Sequence, residues 1–186
     1  ALESLRTGRP RLLSYDLTGV DHEESALVCG GFMQVYVEPV VPDPTLFIFG
    51  AGFVSKAVAH VARFAGFRIA VVDDRIEQAN PEKFPDADDF HVDSWEKVFS
   101  RLPVNSSSYL FIATRGHRLD LLCLRYAVQS PARYIGILGS PKKTESLFDL
   151  LKKEGIPASR FDGVYVPVGF DIGSETAEEI AVRFVA

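Results

Sequence analysis

From residue 46 onward the chain repeats one pattern: a short, continuously apolar run, a stretch with helical spacing, then another apolar run. The runs lie at 46–50, 68–73, 109–113, 134–138 and 164–167 and are rich in Val, Ile and Phe, as expected of strands covered on both faces. Between them, 54–65 places Val54, Val58, Val61 and Ala65 on one face and stops at Gly66, a left-handed cap. Asp93 and Glu96 have capping-box spacing ahead of a helix over 94–101. Segment 141–153 has Ser140 to cap it, Pro141 at its first position, and Gly155 and Pro157 to end it. A last helix starts at Thr176, with Glu179 completing a second box. Alternating strands and helices with right-handed crossovers predict an α/β, Rossmann-like, doubly wound and mainly parallel sheet over 44–186.

Residues 1–43 do not share that rhythm. Two strands, 12–17 and 32–38, flank an acidic loop at 18–25, and the Pro-rich stretch 37–44 separates them from the sheet. A strand pair with a short leading helix cannot bury a core alone. This segment is expected to be an incomplete α+β unit that leans on the main domain, on sequence outside the chain, or on a second copy of the chain in a homodimer.

Composition narrows the function classes. At 186 residues and 47% hydrophobic the chain can bury a core, and its net charge of −5 argues against nucleic acid as a partner. No apolar run approaches the roughly 20 residues of a membrane span, and no signal peptide opens the chain. Two cysteines are too few for a disulfide framework and fit a reducing, cytoplasmic setting. His22, His60 and His91 are isolated, so no structural metal is expected.

The chemistry is sought where strands end. Gly50, Ala51, Gly52 and Phe53 form a turn between strand and helix, where backbone N–H groups and the helix dipole can receive a pyrophosphate. Ser55 stands at the third glycine position of that fingerprint. Asp73, at the end of the second run, is placed to accept hydrogen bonds from a ribose. Arg115 and His117 follow the third run, Gly139 and Ser140 the fourth, and Asp171 the last, all expected beyond carboxyl ends of strands. Arg115 suits a phosphate or carboxylate, unless it and Asp171 form a structural ion pair. Cys29 sits beside Gly30 and Gly31, open to a ligand or simply small and buried, whereas Cys123 reads as a buried helical residue.

Taken together, CGGFMQVYVEP (29–39), FIFGAGFVSKA (47–57), VVDDR (71–75), FP (84–85), ATRGHRLD (113–120), YIGILGSPKK (134–143), GIP (155–157) and PVGFDIGSETAEEIA (167–181) resemble the XdhC/CoxI family, the xanthine dehydrogenase accessory factors. The resemblance implies a cofactor chaperone rather than a catalyst. Such a protein binds molybdenum cofactor (molybdopterin or its dinucleotide form), supports its sulfuration with a cysteine desulfurase, and delivers it to a molybdenum hydroxylase apoenzyme. Departures from the family pattern are Phe53 for a histidine, Pro141 for an arginine and Ala177 for a proline. The family's glycine-rich N-terminal segment precedes the point where this chain begins, so it reads as a fragment or a divergent member. The residues also leave open an NAD(P)-dependent oxidoreductase, from the glycine turn and Asp73, and a non-catalytic nucleotide-binding scaffold.

Overall fold

The structure is a computed structural model, and it describes residues 2–16, 31–40 and 42–186. The chain divides into two compact units, Ala1–Pro42 and Asp43–Ala186. In the first, helix α1 (Leu2–Thr7) precedes an antiparallel ribbon of β1 (Arg11–Asp16) and β2 (Phe32–Val37), registered from Arg11 opposite Val37 to Asp16 opposite Phe32. Leu12, Phe32 and Tyr36 are exposed, so among the described residues the ribbon has no apolar core of its own. Cys29 lies outside the described residues.

The second unit runs β3 (Thr45–Phe49), α2 (Phe53–Phe64), β4 (Arg68–Asp73), β5 (Asp89–Val92), α3 (Trp95–Phe99), β6 (Ser108–Ile112), α4 (His117–Ala127), β7 (Tyr134–Ile137), α5 (Pro141–Lys153), β8 (Val164–Tyr165) and α6 (Ala177–Val185). Its six strands are ordered β5-β4-β3-β6-β7-β8, and every neighbouring pair is parallel. This is the Rossmann order, with the reversal of direction falling between β3 and β6.

Alternation along the strands builds two cores. Leu46, Ile48, Ile69, Val71 and Phe111 pack with Val58, Ala59 and Ala62 of α2 and Ala181 of α6. Phe47, Phe49, Val72, Leu110, Ile112 and Ile137 face the other way, with Trp95, Cys123, Leu124, Leu147 and Leu151. Both faces are therefore covered, which is why the strands read as unbroken apolar runs. Phe49 meets Phe99 and Tyr126 edge-on at 6.0 and 6.2 Å, contacts worth about 0.5–1.5 kcal/mol each beyond their burial. They anchor β3 one residue before the glycine turn.

Helix ends follow local chemistry. Gly66 and Gly155 adopt φ of 89° and 91°, and each closes its helix in the same way. The Gly66 and Phe67 N–H groups donate to Arg63 and Ala62, and those of Gly155 and Ile156 donate to Lys152 and Leu151. Ser140 caps α5 with Pro141 inside it, and Thr176 and Glu179 form a reciprocal box at α6. The box expected from Asp93 does not form. Ser94 is the N-cap of a shorter α3, and Asp93 instead accepts the Ser94 N–H at 2.7 Å. Strand β5 was not expected, and β8 is two residues long rather than four.

Candidate functional site

Immediately after β3 the backbone turns through Gly50, whose φ of 102° favours glycine and whose N–H donates to the Val72 carbonyl at 2.8 Å. A Cβ here would collide with the Ala113 carbonyl and lie 2.9 Å from Thr114 Cα, so the turn can press this close to the end of β6 only without a side chain. Gly52 is the N-cap of α2, in extended conformation with no side-chain hydrogen bond, and the first helical turn carries no acidic residue. The N–H groups of Phe53, Val54 and Ser55 therefore point out of the helix end without intrahelical acceptors, at its positive pole. Ser55, at the third glycine position, is fully buried, and its hydroxyl has no partner. Phe53 is 92% exposed. Beside the turn lies a cleft of about 240 Å³ whose lining includes Gly52, Phe53, Lys56 and Lys83.

Against the turn sits a compact charge cluster. Asp73 is 2% exposed and takes four hydrogen bonds from the protein. They come from the Ala51 N–H at 2.8 Å, the Arg75 N–H at 3.0 Å, Arg75 Nε at 2.9 Å and Arg75 Nη2 at 3.0 Å. These fill the roughly four acceptor positions of a carboxylate. The sequence places Asp73 where a ribose would be read, yet its carboxylate faces the turn and Arg75. One residue on, Asp74 takes a bidentate pair from Arg115 at 2.5 and 2.7 Å. That guanidinium pulls the Asp74 carboxyl down to about 2. Asp73 raises Arg75 and Asp74 raises Arg115, each chiefly by hydrogen bonding.

A second cluster lies beyond β6 and β7. Asp120, buried on α4, accepts from Thr114 Oγ1 at 2.6 Å, the Thr114 N–H at 3.3 Å and Lys143 Nζ at 2.8 Å. Sequence reasoning singled out neither Asp120 nor Lys143, nor Asp74 and Arg75. The visible signal was each acid's place after a strand or in the first turn of a helix. His117 opens α4 and is exposed, and Ser140 accepts from the Lys143 N–H at 3.3 Å beside Gly139. Among the described residues, no group of three or more His, Cys, Asp or Glu is placed to hold a metal, and no helix is long and apolar enough to cross a membrane.

Asp171 is not brought to this end of the sheet. Its carboxylate accepts from the Gly173 N–H at 3.3 Å and lies 3.8 Å from Arg183. Its neighbour Phe170 lines a cleft of about 310 Å³ with Leu46, Tyr109 and Tyr134, which stand at the starts of β3, β6 and β7. The last strand stops at Tyr165 and the following loop folds back along α6, where the Phe170 N–H donates to the Arg183 carbonyl. An Arg115–Asp171 pair is therefore absent, and Arg115 pairs with Asp74. Cys123 is buried in α4, where loss of water pushes its thiol well above the ordinary range.

The chain as a whole has counterparts in known proteins. Over its full length the chain is 30% identical to an uncharacterized protein of Escherichia coli K12, YqeB, and covers 34% of it. It is 33% identical over 153 residues, 82% of its length, to a probable xanthine dehydrogenase component of Bacillus subtilis, covering 44% of that protein. A crystal structure of a xanthine dehydrogenase from Bacillus halodurans matches 98% of this chain with a TM-score of 0.69 and 26% identity, and 60% of that chain is covered. The chain thus spans less than half the length of either of the two sequence relatives. The family described as the XdhC Rossmann domain matches residues 46–186, three quarters of the sequence and all six strands of the parallel sheet, and the chain belongs to that family.

Proposed function

We propose that this chain binds molybdenum cofactor by its phosphorylated tail, within a protein that supports the cofactor's maturation and its insertion into a molybdenum hydroxylase apoenzyme such as xanthine dehydrogenase. The observation that carries the reading is the uncapped N-terminus of α2 behind Gly50 and Gly52, with Lys56 and Lys83 on the adjoining cleft. Phosphate oxygens are the natural acceptors for such a group of donors. Gly52, Phe53, Lys56 and Arg115 are the residues assigned to the tail. His117 and the Asp120–Lys143 pair lie farther along the same end of the sheet, where the bulkier part of the guest would extend.

The occupied carboxylate of Asp73 favours this reading over an NAD(P) oxidoreductase, because a ribose diol would find its usual acceptor already filled. The same occupancy favours molybdopterin over its dinucleotide form. Within this reading a cysteine desulfurase would supply sulfur, and a homodimer would complete the small N-terminal unit.

The test is to incubate the purified 186-residue chain with molybdenum cofactor, pass it over a sizing column, and measure molybdenum and pterin fluorescence in the protein peak. Co-elution near one equivalent is expected, with no NADH fluorescence change on titration. Protein that elutes free of both, or that binds NADH at micromolar levels, would overturn the reading.

A further inference from the structure

Strand β3 lies between β4 and β6 in the sheet, and neighbouring strands are about 4.8 Å apart. Asp74 follows β4 and Arg115 follows β6. Their two-point pair, at 2.5 and 2.7 Å, therefore crosses the carboxyl end of β3 and the turn that issues from it. The crossing falls at the topological switch point, where an open α/β sheet receives its ligand.

The charged groups here differ in how firmly they are held. Asp73 is buried, fixes the Ala51 N–H and carries Arg75 through three hydrogen bonds. Arg115 and Asp74 have side chains 45% and 26% exposed, and Arg115 reaches Asp73 only at 3.8 Å. A guanidinium fork fits two phosphate oxygens as well as two carboxylate oxygens. An arriving phosphate would be drawn to Arg115 and to the head of α2, and repelled by Asp74.

We propose that Asp74 is a built-in competitor for the ligand. It holds Arg115 across the crevice in the free protein, and a phosphate ester or anhydride takes the guanidinium from it. Asp74 thereby sets a threshold among anionic guests: weakly charged ones do not displace it and a multiply charged phosphate does, which makes it a specificity-determining residue. The proposal rests on the reading that a phosphorylated tail occupies the glycine turn.

Calorimetric titration of the full chain with inorganic pyrophosphate, ADP and uncharged adenosine tests both ideas separately. Asp74→Asn is expected to tighten pyrophosphate and ADP about 10-fold, the size of an ordinary contact coupling, and to leave adenosine unchanged. Arg115→Gln is expected to weaken them at least about 10-fold, and adding Asp74→Asn to it should recover much less than Asp74→Asn gains in the wild-type chain, because only direct repulsion and no guanidinium remains to be released. A gain from Asp74→Asn as large without Arg115 as with it would reduce the effect to bulk charge and overturn the competitor, as would unchanged affinity in Asp74→Asn. Either result leaves the phosphate reading standing if the wild-type chain binds pyrophosphate. If neither wild type nor Asp74→Asn binds either anion, both ideas fall. Arg115→Lys, which keeps the charge without the fork, serves should Arg115→Gln not fold, and it should show less than half of the wild-type response to Asp74→Asn.

Discussion

Two glycines separated by one alanine have opposite reasons for being glycine. Gly50 needs its positive φ, and a Cβ there would collide with the Ala113 carbonyl, so Gly50→Ala should destabilise the domain by at least about 1–3 kcal/mol, read from chemical denaturation. Gly52 has φ −94° and open space where a Cβ would stand. Gly52→Ala should therefore leave the unfolding midpoint within about 0.5 kcal/mol, and Gly52→Val should weaken pyrophosphate binding by crowding the helix N–H groups. Equal stability losses in the Gly50→Ala and Gly52→Ala variants would show that the turn serves packing alone. The glycine turn was legible because its residues are consecutive and their conformational demands are local. The direction of the Asp73 carboxylate was not, because it depends on Arg75 and Ala51 both donating to it. Nor was the Asp74–Arg115 pair, which joins residues 41 positions apart that only the sheet order brings together. Asp171 was misplaced by the same logic, since its position was inferred from a strand that ends sooner than its apolar run.

At the scale of elements, β5 shows how an edge strand escapes a reading based on apolar runs. It is short, carries Asp89 and His91, and is only partly buried, so it lacks the unbroken apolar run of β3 or β4. The apolar run of β8 misleads the other way, because Pro167 has no N–H to continue the ladder. Helices α5 and α6 matched expectation closely because Ser140, Pro141, Thr176 and Glu179 act within one turn. On β5, the His91 ring lies 6.2 Å from that of Phe47. Burial lowers its pKa below 6.5, opposed by Asp89 and aided by Arg101. The unfolded chain then binds the proton more readily than the folded one. The stability from neutral His91 is present above pH 6.5 and is lost as pH falls through the lower folded value. Thermal midpoints should decline as pH falls below 6.5, and His91→Phe should flatten that decline. A variant with an unaltered slope would place the sensitivity elsewhere.

For the whole molecule, the decisive fact is where the apolar cores are made. Every residue of the two buried clusters lies at position 46 or beyond, and the aromatic contacts of Phe49 draw on Trp95, Phe99 and Tyr126, all within the second unit. A unit that contains its complete core should fold by itself, and residues 43–186 alone should unfold in one cooperative transition with helical and strand dichroism retained. Residues 1–42 alone should show none, because a two-stranded ribbon is marginal in water. Phe49→Ala sharpens the comparison. Phe49 is fully buried, and its truncation should cost about 3–5 kcal/mol in the full chain. The same loss, within about 0.5 kcal/mol, is expected in the 43–186 protein, since the substituted site and its neighbours are the same in both. A markedly smaller loss in the shorter protein would mean that its core had already loosened, and that the first unit takes part in holding the sheet together.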